Sequence, residues 1–387
     1  MRKNRDQGET HMSGEQPMIK LVITDLDDTL WRWPLIYVEP YRRMLRALSA
    51  DLDLSFDQLV KEVKEVHVGY HDTEYPLSIL ELPSIQALYP ASSIAQRYES
   101  LKKYIDIFDQ TYTENLEPSL FHPVHDTLQT FREAGIKLVG YTDANSCAIT
   151  KRMADFDLAK FYDKIYCRGE HVLNGEMYAP WHIARAAVGD HRLTVVDKTL
   201  SKPQAQVLAR ILADVNAGLA ANDQILPSEV VYIGDSLERD MRMVQNFNDT
   251  LPDDVFGMIA VHAAYGRKDD AICQQYLKGI TRAALMPFMQ DISYWSADQY
   301  AREMHSEREH HAIERAYTLD SHFGELLELE PVAMTLAQVT ATQMADAALA
   351  VGTGRGLYYA SEQQQVCNAP LLTASVGATF PALKPRK

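Results

Sequence analysis

Ile19-Lys-Leu-Val-Ile-Thr24 is a short, mostly apolar, β-branched run that stops abruptly at three carboxylates, Asp25, Asp27 and Asp28. Such a run forms a buried strand, and the acidic cluster behind it is expected in a loop at the strand's carboxyl end. Two similar runs follow, Lys137–Thr142 and Glu229–Gly234, each preceded by a helical stretch and a turn residue, Gly135 and Pro227. Strands that alternate with helices imply a parallel sheet wound on both faces, so a Rossmann-like, doubly wound α/β core is expected. In such sheets ligands bind outside the carboxyl ends of the strands. The acidic loop therefore marks the expected site.

The long interval between the first and second of these strands carries leucine, isoleucine and tyrosine at three- and four-residue spacing over Arg42–Leu48, Phe56–Val66, Leu80–Leu88 and Ser93–Tyr112. That pattern belongs to amphipathic helices, and a helical insertion over residues 31–117 is the simplest reading. The chain is expected to rejoin the sheet near Pro118, with Pro118 and Pro123 bracketing a turn before a helix over His125–Glu133. The core would then comprise residues 18–30 and 118–330. A small second insertion is expected at about 169–199, where His171–Pro180 reads as strand and turn. Helices are expected around Ala271–Met289 and Asp298–Ala312, and a last short strand and helix at Tyr317–Leu329. Residues 1–17 read as a disordered tail, and residues 331–387, rich in alanine and threonine, as a largely flexible extension.

Composition narrows the function classes. Of the 387 residues 46% are hydrophobic and 24% charged, as in ordinary soluble globular proteins. A formal charge of -15 argues against a partner bound through a broad basic face, so no nucleic acid is expected. The cysteines Cys147, Cys167, Cys273 and Cys367 are widely separated, without the paired spacing of a zinc site or a disulfide framework. A reducing, cytoplasmic setting fits them. No apolar run approaches the roughly 18 residues of a membrane span, and the N-terminus lacks the layout of a secretory signal.

Four segments carry chemistry. Two carboxylates spaced as Asp25 and Asp27 can share one crevice, one attacking phosphorus while the other protonates the leaving oxygen and then activates water. Thr142, at the end of the second strand, can offer its hydroxyl and the following amide of Asp143 to a phosphoryl oxygen. Lys202, ahead of Pro203 and an expected helix that Pro203 opens, can offset both the carboxylates and the phosphoryl charge. Lys198 is a rival for that role. Gly234-Asp235-Ser236-Leu237-Glu238-Arg239-Asp240 places two carboxylates after the third strand, a donor set that suits Mg²⁺. Taken singly each segment has a plain structural explanation: an acidic turn, a β-favouring threonine, a solvated lysine, a helix cap.

Taken together, Asp25-Leu-Asp27-Asp-Thr29, Thr142, Lys202-Pro203 and Gly234-Asp235 through Asp240 resemble the four motifs of the haloacid dehalogenase superfamily, over residues 18–330. The resemblance implies Asp25 as nucleophile, Asp27 as general acid and base, and Thr142 with Lys202 as phosphoryl partners. It implies Mg²⁺ held by the Asp25 carboxylate, the Asp27 main-chain carbonyl and Asp235, with Asp240 near or in the shell. An aspartate at position 27 points to the superfamily's phosphatases and mutases rather than its dehalogenases or pumps. The helical insertion resembles the family's first cap type, which closes over the site. Asp143 stands where the phosphatases often have asparagine, and adds a negative charge beside the expected phosphate site. The interval from Thr142 to Lys202 is long for the family.

A Mg²⁺-dependent hydrolase of a small phosphorylated metabolite is therefore expected. A phosphomutase using the same aspartates and a non-catalytic binding module are the alternatives. Gly352–Gly356 reads as a linker rather than a phosphate loop, and His122, His125 and His305–His311 as solvated side chains. Trp31, Trp33, Tyr37 and Tyr41 are placed at the cap hinge, as packing or as substrate contacts.

Overall fold

A computed structural model describes residues 18–169, 192–268, 280–305 and 316–352. Seven strands form one sheet: β1 (Leu21–Thr24), β2 (Lys137–Asn145), β3 (Lys164–Arg168), β4 (Leu193–Val196), β5 (Val230–Gly234), β6 (Ile259–Ala263) and β7 (Ala316–Leu319). Their order is β4-β3-β2-β1-β5-β6-β7, and every neighbouring pair is parallel. The chain starts in the middle, builds outward to β4, then returns to the other side of β1. The winding thus reverses beside β1, and in parallel sheets that reversal opens a crevice at the strands' carboxyl ends. All four residues of β1 are buried, which is why the run is apolar throughout rather than alternating. Leu21, Ile23, Val139, Tyr141, Val230 and Tyr232 pack one face of the sheet against a helix at Gln206–Asn216.

Between β1 and β2 lie the expected helices: α1 (Glu39–Leu52), α2 (Phe56–Tyr70), α3 (Pro83–Leu88) and α4 (Ile94–Ser119). Ser55 and Ser93 cap α2 and α4 through their hydroxyls, the latter in a reciprocal box with Gln96. Pro118 lies inside the last turn of α4 rather than in the turn beyond it, and the next helix, α5, covers Val124–Glu133.

Other differences from the sequence reading are local. β2 runs past Thr142 to Asn145, with a register irregularity between Tyr141 and Asn145. Pro203 does not open the helix that follows: Ser201 and Gln204 close a turn, and the helix starts at Gln206. Leu193–Val196, within the region expected as a small insertion, is the edge strand β4, while His171–Pro180 lies outside the described residues. Where a largely flexible extension was expected beyond Pro331, a helix spans Glu330–Gly352. Its alanine-rich sequence favours that state. Val332 is buried, and the Thr335 hydroxyl accepts a hydrogen bond from the Ile19 amide at 2.9 Å. Residues to Thr335 form one compact unit, and a second begins at Leu336.

The link from β6 to β7 has the least expected destination. It contains helices at Arg282–Ile292 and Ala297–His305. The first lies against α2: Phe56 stacks on Phe288 at 6.0 Å, His67 Nδ1 meets the Ile292 carbonyl at 2.7 Å, and Lys64 donates to the Ser293 carbonyl at 3.0 Å. Among the described residues no helix is long and apolar enough to cross a membrane.

Candidate active site

The loop after β1 is drawn tight by its own backbone. The Asp25 amide donates to Ile233 of β5 at 2.8 Å, Leu30 to Leu26 at 2.8 Å, and Asp28 takes a left-handed turn conformation at φ 56°. Asp25 and Asp235, at the ends of adjacent strands, therefore face one crevice. Asp240 reaches it from the helical turn after β5, where Ser236 caps the turn. Gly234 makes the room: a Cβ there would lie 2.4 Å from Asp240 Cγ.

Lys202 ties these carboxylates together. Its ammonium lies 2.5 Å from Asp25 Oδ1 and 2.7 Å from Asp240 Oδ1, with all three side chains at least nine-tenths buried. Asp240 also accepts from the Tyr232 hydroxyl at 2.6 Å and the Ser236 amide at 3.1 Å. Burial pushes the Asp25 carboxyl well above the usual range, and Asp240 and Asp235 push the same way against the pull of Lys202. At Lys202 burial disfavours the ammonium, but the surrounding carboxylates Asp240, Asp25 and Asp143 prevail and hold it charged. At Asp235 burial is overcome by Arg267, whose Nε donates to Oδ2 at 2.7 Å, with help from Arg282 and Lys202, so its carboxyl is lowered. The rival Lys198 is in the short helical turn Lys198–Leu200, and its side chain is outside the described set.

Asp25, Asp235 and Asp240 each offer a buried carboxylate oxygen, and these atoms lie within 4.8 Å of one another. Three hard oxygen donors in one buried cluster fit Mg²⁺. The Asp27 carboxylate turns elsewhere: Oδ1 accepts from the Trp31 indole at 2.6 Å and from Arg152 at 2.8 Å, and Oδ2 from Thr142 at 3.4 Å. Asp143 is set between two guanidinium groups. It pairs with Arg239, lies 3.7 Å from Arg168, and also accepts from the Lys202 amide at 3.2 Å. The extra negative charge expected beside the phosphate site is thus met by arginines.

These groups line a cavity of about 150 Å³. Its cover comes from two places. Trp33, Asp72, Thr73 and Glu74 belong to the segment between β1 and β2, and Arg282, Met289, Ser293, Tyr294 and Trp295 to the link between β6 and β7. Glu74 pairs with Arg152, which in turn holds Asp27. Arg282 pairs with Asp28 at 2.6 Å. Trp31, Tyr37 and Tyr41 are buried packing residues, with Trp33, Tyr37 and Tyr41 stacked in a ladder. Only Trp33 of the four lines the cavity.

The structure brings together the carboxylates, the threonine and the lysine that the sequence singled out, and adds arginines that it did not. Arg239 sits beside Asp240 within the motif, and Arg267 follows the end of β6 closely, so strand-end placement could have flagged both. Arg152 and Arg282 carry no such signal, because a buried guanidinium reads like a surface one, and Arg168 ends a strand, β3, that the sequence pattern did not reveal. His125 is held by the Phe156 carbonyl at 2.8 Å, away from the site, and the proposed linker after Gly352 lies outside the described residues.

No family model matches the chain. A curated relative, glyceraldehyde 3-phosphate phosphatase of Methanopyrus kandleri, is 24% identical over 264 residues, 65% of this chain and 87% of its own length. Among solved structures, 2-haloacid dehalogenase from Pseudomonas syringae is 18% identical with a TM-score of 0.38, covering 67% of this chain and 99% of that one. A haloacid dehalogenase-like family hydrolase from Xanthomonas campestris is 18% identical with a TM-score of 0.37, covering 71% and 98%. Motif order, parallel sheet and the gathering of the motif residues at one strand edge together carry this chain's resemblance to the haloacid dehalogenase superfamily.

Proposed function

We propose that the protein is a Mg²⁺-dependent phosphatase that hydrolyses a small phosphate monoester through an aspartyl-phosphate on Asp25. The observation that carries this reading is the Lys202 ammonium bridging Asp25 and Asp240 inside a cluster of three buried carboxylates. A nucleophilic carboxylate must be ionised, and burial opposes that. Lys202 supplies the opposing charge at the attacking oxygen's own carboxylate. The curated relative, a phosphatase, supports the same class.

In this reading an Asp25 oxygen attacks phosphorus and the bond to the leaving oxygen breaks. Two donors occupy Asp27 Oδ1, whereas Oδ2 has only the long 3.4 Å contact to the Thr142 hydroxyl, so Oδ2 is the oxygen that carries the proton to the leaving group once Thr142 turns to the phosphoryl group. Asp27 then takes a proton from water, which attacks the phosphorus of the aspartyl-phosphate, releasing inorganic phosphate and regenerating Asp25. The Thr142 hydroxyl, the Asp143 amide and Lys202 hold the phosphoryl oxygens. Mg²⁺, held by Asp25, Asp235 and Asp240 with the Asp27 main-chain carbonyl, supplies positive charge that lets an anionic nucleophile meet an anionic ester. Residues 31–117 act as the cap, excluding water and selecting substrate. The proposed setting is the cytoplasm and the proposed substrate a small phosphorylated metabolite.

The test is release of inorganic phosphate from a panel of phosphomonoesters. Mg²⁺-dependent release that chelation abolishes is expected. Isomerised sugar phosphate without release would replace the hydrolase with a mutase, and no turnover of any ester would end the enzymatic reading.

A further inference from the structure

Arg168 is the last residue of β3, so it stands at the same carboxyl edge as the motif residues. It is 9% exposed and lines the cavity. Its Nη2 lies 3.7 Å from Asp143 Oδ2 and its side chain also bonds Tyr294, yet its Nε finds no hydrogen-bond partner among the described residues. Buried donors in folded proteins are nearly always paired, so an unpaired one on a guanidinium that also lines the cavity points to an acceptor supplied by a ligand. None of the proposed chemical steps uses Arg168. Its neighbour Arg239 has its guanidinium 5.2 Å over the ring of Trp295, which with Tyr294 closes this side of the cavity from the β6–β7 link.

We propose that this corner binds a second oxyanion of the substrate. The Nε and Nη edge of a guanidinium presents two parallel donors that match a carboxylate or a phosphate. Asp143 orients Arg168 and Arg239, and the apolar Trp295 face covers part of Arg239. Because Asp143 directly follows Thr142 and also accepts from the Lys202 amide, the second oxyanion sits close to the phosphoryl site. The substrate is thus a short phosphomonoester bearing a carboxylate or a further phosphate on the same small skeleton. The β6–β7 link, and not only the helical insertion, helps select it. The inference deepens the phosphatase reading and rests on it for turnover, though not for binding.

The full-length protein with Mg²⁺ is assayed on three-carbon esters: a neutral polyol phosphate, a phosphorylated hydroxy acid and a bisphosphate. One anionic class is expected to exceed the neutral ester about tenfold or more in kcat/KM, and which one does so identifies the second group. Arg168→Met is expected to lower kcat/KM for that class at least about tenfold more than for the neutral ester. Arg168→Lys, which keeps the charge but loses the fork, should recover part of the loss. Equal turnover of all three esters, or an equal loss on all three in Arg168→Met, would overturn the inference. Calorimetry with the corresponding phosphonates separates the two readings. If no ester is hydrolysed, the phosphatase reading falls, while preference for an acid-bearing phosphonate and its loss in Arg168→Met still decide the oxyanion corner. A variant that has lost its fold is recognised by its thermal transition, and the wild-type preference then decides alone.

Discussion

The floor and the cover of the cavity are built by different means. The floor consists of the ends of β1, β2 and β5, where the strand ladder sets the positions of Asp25, Thr142's partner Asp27, Asp235 and Asp240, and Lys202, Arg152 and Arg267 pair with their carboxylates on that frame. The cover is tied down by charge across long stretches of chain, Glu74 to Arg152 and Arg282 to Asp28. Each of those pairs ends on a floor residue or on the group that holds one, since Arg152 also grips Asp27. The floor can therefore carry chemistry in a fixed geometry, while the cover tunes approach and choice of substrate. Losses in the two regions should differ in kind as well as in size.

The largest effect belongs to the floor. Asp25→Asn keeps size and hydrogen-bonding shape but removes the proposed nucleophile, and kcat should fall by roughly 10⁴-fold or more with ligand binding retained. Residual turnover within tenfold of wild type would detach Asp25 from the chemistry.

Lys202→Met comes next. It removes a proposed phosphoryl partner, so kcat should fall roughly 10² to 10³-fold. It also leaves Asp25 and Asp240 buried without their shared cation, and breaking such a pair costs about 3–5 kcal/mol. Urea unfolding should show that destabilisation, and added Mg²⁺ should restore more stability to the variant than to wild type. An unfolding midpoint that ignores both changes would mean the lysine is not the counter-ion of the floor.

In the cover, Trp295→Ala is expected to raise KM about tenfold while kcat stays within about threefold, because the ring closes the cavity but touches no reacting group. A collapse of kcat at unchanged KM would erase the distinction between floor and cover.

The smallest effect is electrostatic. Burial, aided by Asp27 and Asp72 and opposed by Arg152, pushes the Glu74 carboxyl up to about 7 from 4.5. A raised carboxyl binds its proton more tightly folded than unfolded, so its contribution is complete below pH 4.5 and is lost as the pH climbs through about 7. Wild-type stability should decline over that interval, and Glu74→Gln should flatten the decline. A steeper profile in the variant would reverse the assignment.

The same contrast explains what could be read from the sequence. β1, β2 and β5 are buried on both faces, so their apolar runs stand out, and the carboxylates behind them are placed by the strand ends alone. The helices between β1 and β2 were legible from their apolar spacing, but Asp72, Thr73 and Glu74 sit in a non-helical stretch with no pattern to aim it. The helix Arg282–Ile292 was foreseen in outline, yet nothing in its sequence says that it packs on α2 and carries Tyr294 and Trp295 to the cavity. Register at the end of β2 and the turn at Pro203 depend on tertiary contacts that local propensity does not encode. The arginines were hidden for a related reason: their meaning comes from the carboxylates they meet, and those partners lie tens to hundreds of residues away.

The most direct test is to quench the enzyme during turnover of a labelled phosphomonoester in Mg²⁺ and locate the phosphoryl group by peptide mass spectrometry. A hydroxylamine-sensitive phosphoryl group on the Asp25 peptide, absent in Asp25→Asn, is expected. Label on another residue, such as Ser236, with Asp25 unmodified would contradict the assignment of Asp25 as the nucleophile.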